Sequence, residues 1–356
     1  MTESAGETGK LVFPPQTPTE ALAAPVAWRR ALAAWGALAL LALAAVALSP
    51  LVGSTNIDLL RAWGIGVAAG EENIDAAIFF TARLPRVLFG LLAGASLSVA
   101  GATYQALLRN DLAEPFTLGV AGGASVGALL ALNFLPITVS PLAAPGLALA
   151  FAGVAVALLY GLTRLRGPRS SPATLILAGV TMNFLFGAAI LLIQYISDPY
   201  QTMAIVRWLM GGLDVTSYRV CAVAAVLLVV GGGILIAHAR PLNLLALGDM
   251  TAHHLGVPVE RTRLVALAVS SALAAFVVAF AGPIGFVGLL VPHVLRRLVG
   301  ADHRILLPAT ILGGGFFLVV CDSAARVLFA PSELPVGILT AFLGAPFFLW
   351  LLFRKG

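Results

Sequence analysis

Long apolar runs, broken at intervals by prolines and charged residues, constrain this chain more than any other feature of its sequence. Of its 356 residues, 60% are hydrophobic and 10% are charged, against roughly a quarter charged in an ordinary soluble domain. A helix needs about 20 apolar residues to cross a bilayer, and a backbone in lipid must satisfy its own hydrogen bonds. The runs are rich in Leu, Ala, Val and Gly and do not alternate, so the sequence predicts an all-α polytopic membrane protein.

The spacing of the apolar runs predicts about ten transmembrane helices in a single domain, 29–356. The predicted ranges are 29–49, 83–108, 116–133, 142–165, 173–196, 220–237, 264–281, 284–298, 306–329 and 335–353. The preceding residues, 1–28, are polar and proline-rich. Such a composition predicts a disordered tail rather than a signal peptide.

The basic residues are distributed unevenly between the alternate loops. With ten spans, most of the 21 Lys and Arg residues fall on the side that holds both chain ends, which the positive-inside rule assigns to the cytoplasm. The exceptions on the other side are Arg61, Arg83, Arg86, Arg207, Arg219 and Arg326. Both termini, and the 1–28 tail, are therefore predicted to be cytoplasmic.

Motifs for catalysis or metal binding are missing from the sequence. The only lysines, Lys10 and Lys355, lie outside any phosphate-cradling G-x-x-x-x-G-K-[ST] loop, so this chain is not expected to hydrolyse ATP. Adjacent His253 and His254 would point about 100° apart on a helix, and neither Cys nor a third ligand is near them in the sequence. We expect no catalytic residue, metal site, bound cofactor or nucleic-acid partner.

Asp322 and Arg326 are the charged residues predicted to lie deep in the membrane, where a charge is costly and usually functional. They stand four apart on one predicted helix, so they can pair with each other. An ion-coupled secondary transporter that uses Asp322 remains one alternative. A membrane enzyme is a second alternative, which no motif supports.

Small residues and prolines predict how the helices pack. Gly90 with Gly94, Gly123 with Gly127, and the run 313–315 place glycines where helices can cross closely. Pro115, Pro283 and Pro335 shorten helices, which a membrane protein tolerates where protein or a water-filled cavity covers the backbone. These breaks favour a channel or transporter over a passive anchor.

A short amphipathic stretch lies in the longest interior cytoplasmic loop, 238–263. Leu247, Met250 and Leu255 alternate with polar residues, and Gly256 is a helix stop signal. The stretch predicts a surface helix over 247–256 that is too short and polar to span the membrane. It is either a connector at the lipid headgroups or a docking site for a cytoplasmic partner.

An ordered set of short motifs runs through residues 78–352. They are RLPR at 83–86, RNDLAEP at 109–115, WLMGG at 208–212, RPLN at 240–243, GFVGLLVPH at 285–293, DHR at 302–304, ELPVG at 333–337 and GAPFF at 344–348. This set resembles the membrane subunits of type II ABC importers for iron-siderophores, haem and vitamin B12. Any one motif is weak evidence, whereas their order along the chain is highly specific.

The resemblance implies a type II ABC importer permease that forms a homodimer in the bacterial inner membrane. Two cytoplasmic ABC ATPase subunits, which use ATP and Mg, would lie beneath it and a periplasmic substrate-binding protein above it. The cargo would be a chelated-iron siderophore, cobalamin or haem, moved by alternating access. The stretch 247–256 falls where the family has its ATPase-coupling helix, formed here by Leu247, Gly248, Asp249, Met250, Thr251, Ala252, His253, His254, Leu255 and Gly256.

The resemblance also implies roles for residues near both membrane faces. Arg83, Arg86 and Arg326 fall where the vitamin B12 importer subunit has arginines that meet acidic residues of the binding protein. The cytoplasmic gate regions hold Asn110, Leu112, Ser170 and Ser171. Two positions depart from the family pattern, with Asp111 in place of the usual proline and Pro172 near the gate.

Overall fold

The fold is described from a computed structural model that covers residues 28–53, 55, 57–65, 72–135, 140–165 and 172–355. Residues 1–27 of the predicted tail lie outside these ranges, and Trp28 begins the first helix. Within the described ranges the chain is helical and contains no strand. The predicted all-α class is confirmed.

The described ranges contain the helices that are used as reference points below. They are α1 (Trp28–Leu48), α2 (Leu59–Ala62), α3 (Ile74–Leu108), α4 (Val120–Phe134), α5 (Ser140–Leu165), α6 (Pro172–Ile196), α7 (Pro199–Leu209), α8 (Tyr218–Ala237), α9 (Ala239–Ala246), α10 (Asp249–His254), α11 (Val259–Ala281), α12 (Val287–Val299), α13 (His303–Leu328) and α14 (Val336–Lys355). A 3₁₀ turn, Ser49–Leu51, follows α1.

The number of spans agrees with the prediction of about ten. In the part of the chain that the structure describes, 7 helices are long and apolar enough to cross a bilayer, namely α1, α3, α5, α6, α8, α11 and α13. The shorter α4, α12 and α14 occupy the remaining predicted positions. Because α4 packs on α5, and α12 packs between α3 and α13, protein covers much of their backbone.

The sequence predicted that the second span begins at residue 83. In the structure it begins earlier, at Ile74. Proline is favoured in a first helical turn, so the RLPR motif indicates a helix start. In the structure a π-helical segment, Ile78–Arg83, continues into the helix that contains Pro85. The N–H of Leu84 donates to the carbonyl oxygen of Phe79, a wider hydrogen bond that lets the helix pass through this region.

Two amphipathic helices, α7 and α9, were not predicted. The N-terminus of α7 has a capping box, in which the Gln201 N–H donates to the Asp198 carboxylate at 2.8 Å and the Asp198 N–H donates to the Gln201 side chain at 3.2 Å. Ser, Thr, Asp or Asn followed three residues later by Glu or Gln is a recognised start signal, so the sequence did contain the information.

The predicted helix over 247–256 is shorter in the structure. Only Asp249–His254 is helical, and α9 ends before it at Ala246. Gly248 separates the two helices with a φ of +123°, a conformation that residues other than glycine rarely adopt. Leu247, Gly248, Leu255 and Gly256 therefore flank α10 and do not belong to it.

Helix α3 lies at the centre of the bundle and is buried along most of its length. A Cβ atom at Gly94 would overlap the backbone of Gly314 on α13, and one at Gly101 would overlap the backbone of Gly288 on α12. On the other side of the bundle, a Cβ atom at Gly127 would overlap the backbone of Leu147 on α5. The predicted close crossings at Gly94 and Gly127 are confirmed, and they let backbones touch where side chains would hold them apart.

Candidate transport and coupling sites

Helix α10, the predicted ATPase-coupling helix, presents an exposed surface and is anchored at its first residue. Met250 and Leu255 are 70% and 60% exposed, whereas Ala252 is buried beneath them. The Asp249 carboxylate accepts hydrogen bonds from Arg263 of α11 at 2.8 and 2.9 Å and from Arg109 at 3.3 Å. A negative charge at a helix N-terminus is also favoured by the helix dipole.

His253 and His254 are exposed on α10, with ring centroids 6.2 Å apart. The described residues contain no group of three or more His, Cys, Asp or Glu side chains that could hold a metal ion.

The connection between α3 and α4, residues 109–119, is here called the gate loop because it carries the predicted gate residues Asn110 and Leu112. The Asn110 side chain accepts a hydrogen bond from the Leu112 N–H at 2.9 Å, and Leu112 is 45% exposed. Both residues line a cavity of about 350 Å³, together with His293 and Phe348. Ser170 and Ser171, the other predicted gate residues, lie outside the described residues.

Asp111, which the motif resemblance places where a proline is expected, has an ion-pair partner. Its carboxylate lies 2.6 Å from Nη1 of Arg296 on α12. The Nη2 atom of Arg296 donates to the Gln105 side chain of α3 at 2.7 Å. The structure therefore explains this departure, because the carboxylate ties the gate loop to α12.

Glu114 is a buried acid in the gate loop that the sequence interpretation missed. It is 8% exposed, and its carboxylate accepts a hydrogen bond from the N–H of Phe286 at 3.2 Å. Burial raises the pKa of Glu114 to about 7, with the Phe286 hydrogen bond acting in the opposite direction. The signal that could have found it is its position directly before the helix-breaking Pro115, in the connection between two predicted spans.

The three predicted docking arginines lie together at the other end of the bundle, and Asp322 is at the centre of this group. Arg86 donates to the Asp322 carboxylate at 2.9–3.2 Å from both Nε and Nη2, and Nε of Arg326 lies 3.2 Å from the same group. The predicted pairing of Asp322 with Arg326 is thus confirmed. Arg86 also pairs with Glu333 at 2.6 Å. We call Arg83, Arg86, Arg326, Asp322 and Glu333 the outer charge cluster.

Arg83 and Arg326 hold the segment that follows α1. Arg83 donates to the Pro50 carbonyl oxygen at 3.0 Å, and Arg326 donates to the Val52 carbonyl oxygen at 2.8 Å and to the Ser49 hydroxyl at 2.6 Å. Arg83 and Arg326 are only 7% and 2% exposed. In this structure they are internal tethers and not exposed cations.

A second cavity, of about 620 Å³, opens beside the outer charge cluster. Arg86, Asp214 and Glu333 line one part of it, and Trp208 and Phe280 contribute aromatic surface. The wall also includes Arg207 of α7, which is exposed. The chain therefore has a polar and aromatic chamber at one end and the gate-loop cavity at the other.

A bundle of membrane helices with a cavity near each end, broken helices and an exposed anchored helix is typical of a membrane transport protein. The chain belongs to the FecCD transport family, whose model matches residues 40–354. Members of this family are permease subunits of ABC transporters and not catalytic enzymes. The recognition made from the ordered motifs is confirmed.

Named relatives support the same assignment. The chain is 43% identical over 296 residues to the cobalamin import system permease protein of Halobacterium salinarum, covering 83% of this chain and 78% of the relative. It is 42% identical over 282 residues to the hemin transport system permease protein of Yersinia pestis, covering 78% and 84%. It is 38% identical over 316 residues to the vitamin B12 import system permease protein of Escherichia coli, covering 85% and 94%.

The fold also matches a solved structure. A metal-chelate type ABC transporter in an inward-facing conformation superposes with a TM-score of 0.78 at 32% identity, covering 91% of this chain and 99% of that one. This similarity confirms the predicted permease fold.

Proposed function

We propose that this chain forms the membrane pathway of an ABC importer for a metal chelate, of the chelated-iron siderophore, cobalamin or haem class. The observation that carries the proposal is α10, a short exposed helix fixed at Asp249 to both α11 and the gate loop. Met250 on α10 and Leu255, which directly follows the helix, are both exposed, and such a partly apolar surface is suited to seat in a groove of another protein, since Met and other apolar side chains are common in interface cores.

The complete transporter would contain two copies of this chain, two cytoplasmic ATPase subunits and a periplasmic substrate-binding protein. Exposed aromatic side chains on α6 and α14, such as Phe184 (77%) and Phe342 (73%), offer apolar surface for lipid and for a second copy. ATP and Mg would be bound by the ATPase subunits. Both chain ends would lie in the cytoplasm of a bacterial inner membrane.

The transport cycle would work by alternating access. ATP binding by the partner would move α10, the movement would repack the helices around the gate loop, and the pathway would open to one side at a time. The permease would hold its cargo weakly, and the binding protein would select it.

We propose that the outer charge cluster supports docking of the binding protein, with Arg86 as the direct contact in place of all three predicted arginines. Arg86 lines the outer cavity, and its partner Glu333 is 40% exposed, so a carboxylate of a docking protein can compete for Arg86. Arg83 and Arg326 would support docking indirectly, because they fix the position of the segment that follows α1. Charge complementarity of this kind mainly accelerates association.

The test is uptake in proteoliposomes that contain the chain, its ATPase and its binding protein, with ferric siderophore, haem and cobalamin offered in parallel. We expect accumulation of one cargo, and its loss when the ATPase is omitted. Uptake that is indifferent to the ATPase but abolished by Asp322→Asn would instead support an ion-coupled carrier.

The coupling surface can be tested with a matched pair of variants. Met250→Asp places a charge on the exposed face of α10, whereas Tyr200→Asp does so on α7 at a residue that is 83% exposed. Met250→Asp should prevent co-purification of the ATPase, and Tyr200→Asp should not. Equal retention of the ATPase by both variants would contradict the assignment of α10.

A further inference from the structure

Arg109 is the first residue of the gate loop and directly follows the end of α3. Its backbone is in an unusual conformation. Its φ of 49° places it in the left-handed region, which residues other than glycine seldom occupy. The conformation ends α3, because the N–H groups of Arg109 and Asn110 donate to carbonyl oxygens of the last turn, and it directs the chain out of the helix into the gate loop.

The side chain of Arg109 reaches the start of α10. Its Nη2 lies 3.3 Å from Oδ1 of Asp249, and its Nη1 lies 3.5 Å from the position that a Cβ atom on Gly248 would occupy. Arg263 holds the same carboxylate at 2.8 Å. Asp249 is therefore shared between α11 and the gate loop.

The two contacts to Asp249 differ in character. The side chain of Arg263 is 17% exposed, whereas that of Arg109 is 33% exposed and its contact is longer. Ion pairs that are one third exposed to solvent contribute little to stability and can rearrange readily. Arg263 is suited to anchor α10, and Arg109 is suited to follow its movement.

The gate loop is restrained from the opposite side by α12. Asp111 pairs with Arg296 at 2.6 Å, so the first three residues of the loop lie between two ion pairs to different helices. The hydrogen bond from the Leu112 N–H to the Asn110 side chain closes the turn. A displacement of Arg109 would thus carry Asn110 and Leu112 with it.

We propose that Arg109 is the positioning residue that transmits movement of α10 to the gate loop, against the restraint of the Asp111–Arg296 pair. This inference rests on the proposed function, because it takes α10 as the ATPase contact. It assigns separate roles to two arginines that share one carboxylate: Arg263 holds the helix, and Arg109 connects it to the gate.

The test compares Arg109→Gln with Arg263→Gln, Arg109→Lys and the control Arg261→Gln in the reconstituted transporter. Arg261 is exposed on the same helix as Arg263 but points in a different direction, so its substitution removes a charge from the same helix on another face. ATP hydrolysis and uptake are both measured. A Leu112→Cys substitution introduced into every variant reports exposure of the gate loop to a maleimide with and without nucleotide.

For Arg109→Gln we expect ATP hydrolysis to continue while uptake per ATP falls by about fivefold or more, the lower end of typical coupling free energies. Maleimide labelling of Leu112→Cys should also lose its dependence on nucleotide. Arg109→Lys should restore part of both readouts. Arg263→Gln should lower hydrolysis and uptake together, and Arg261→Gln should match the parent protein.

Two results would overturn the inference and leave the proposed function intact. One is an Arg109→Gln variant with normal uptake per ATP and nucleotide-dependent labelling. The other is an Arg109→Gln variant in which hydrolysis and uptake fall in parallel, as in Arg263→Gln, because that is the behaviour of an anchor. Failure of the parent protein to transport with any ATPase would instead count against the proposed function.

Discussion

Asp322 is buried on α13 and meets two guanidinium groups, those of Arg86 and Arg326. A carboxylate so placed is satisfied as a structural counter-ion, and loss of one partner from a buried ion pair typically costs about 3–5 kcal/mol. The same arrangement weakens the case for Asp322 as a carrier site, since a transported cation would have to compete with both arginines. At the residue scale, the partners of a charge determine its role.

Glu114 leads to a prediction about pH at the same scale. Its pKa is raised to about 7 by burial, so between about pH 4.5 and pH 7 the folded protein binds more protons at this site than the unfolded chain. The contribution of Glu114 to the free energy of unfolding is therefore fully present below about pH 4.5 and is lost as the pH rises through 7. The loss is on the order of 3 kcal/mol.

The measurement is the unfolding temperature in detergent at pH 5 and pH 8. Glu114→Gln stays neutral and can still accept the Phe286 hydrogen bond, so its unfolding temperature should fall less between the two pH values than that of the parent. Glu260→Gln, at an exposed position on α11, should behave as the parent does. An unchanged pH profile in Glu114→Gln would contradict the buried-acid interpretation.

At the scale of helices, the crossing of α3 and α13 depends on the absence of side chains. Gly94 and Gly314 each approach the backbone of the other helix so closely that a Cβ atom would overlap it. Between membrane helices close packing supplies much of the association energy, because the lipid is as apolar as the helices themselves. A methyl group at this contact has to push the two central helices apart.

Gly94→Ala should therefore destabilise the protein by about 1–3 kcal/mol, the usual cost of overpacking. The matched control is Gly153→Ala on α5, where no atom lies within 4 Å of the added Cβ, and alanine there should be neutral or stabilising. Unfolding temperature and the monodisperse yield in detergent measure the difference. Equal behaviour of the two variants would show that the crossing tolerates a wider separation.

At the scale of the whole molecule, the two ends of the helix bundle have different structural features. One end has the outer charge cluster and the larger cavity, and the other has α10, the gate loop and the smaller cavity. An importer requires this difference, because it receives cargo at one face and energy at the other. The distribution of Lys and Arg predicts that the α10 end is cytoplasmic.

Cysteine labelling tests this orientation. Met250→Cys on α10 and Tyr200→Cys on α7 are both highly exposed, and the native Cys221 and Cys321 are buried at 6% and 3% exposure. A membrane-impermeant maleimide should label Tyr200→Cys in spheroplasts and Met250→Cys only in inverted vesicles. The opposite pattern would reverse the assignment of the two faces.

The class of fold followed from the sequence, and so did the approximate position of the spans other than the start of the second, because lipid requires long apolar helices and a break needs proline, glycine or charge. Contacts within one helix were also predictable, as the Asp322–Arg326 pair shows, since residues four apart share a helix face. The tertiary structure alone decided the pairs that join Arg86 to Asp322, Asp111 to Arg296 and Arg109 to Asp249. Their partners are 236, 185 and 140 residues apart, and helical periodicity carries no information about which distant helices meet.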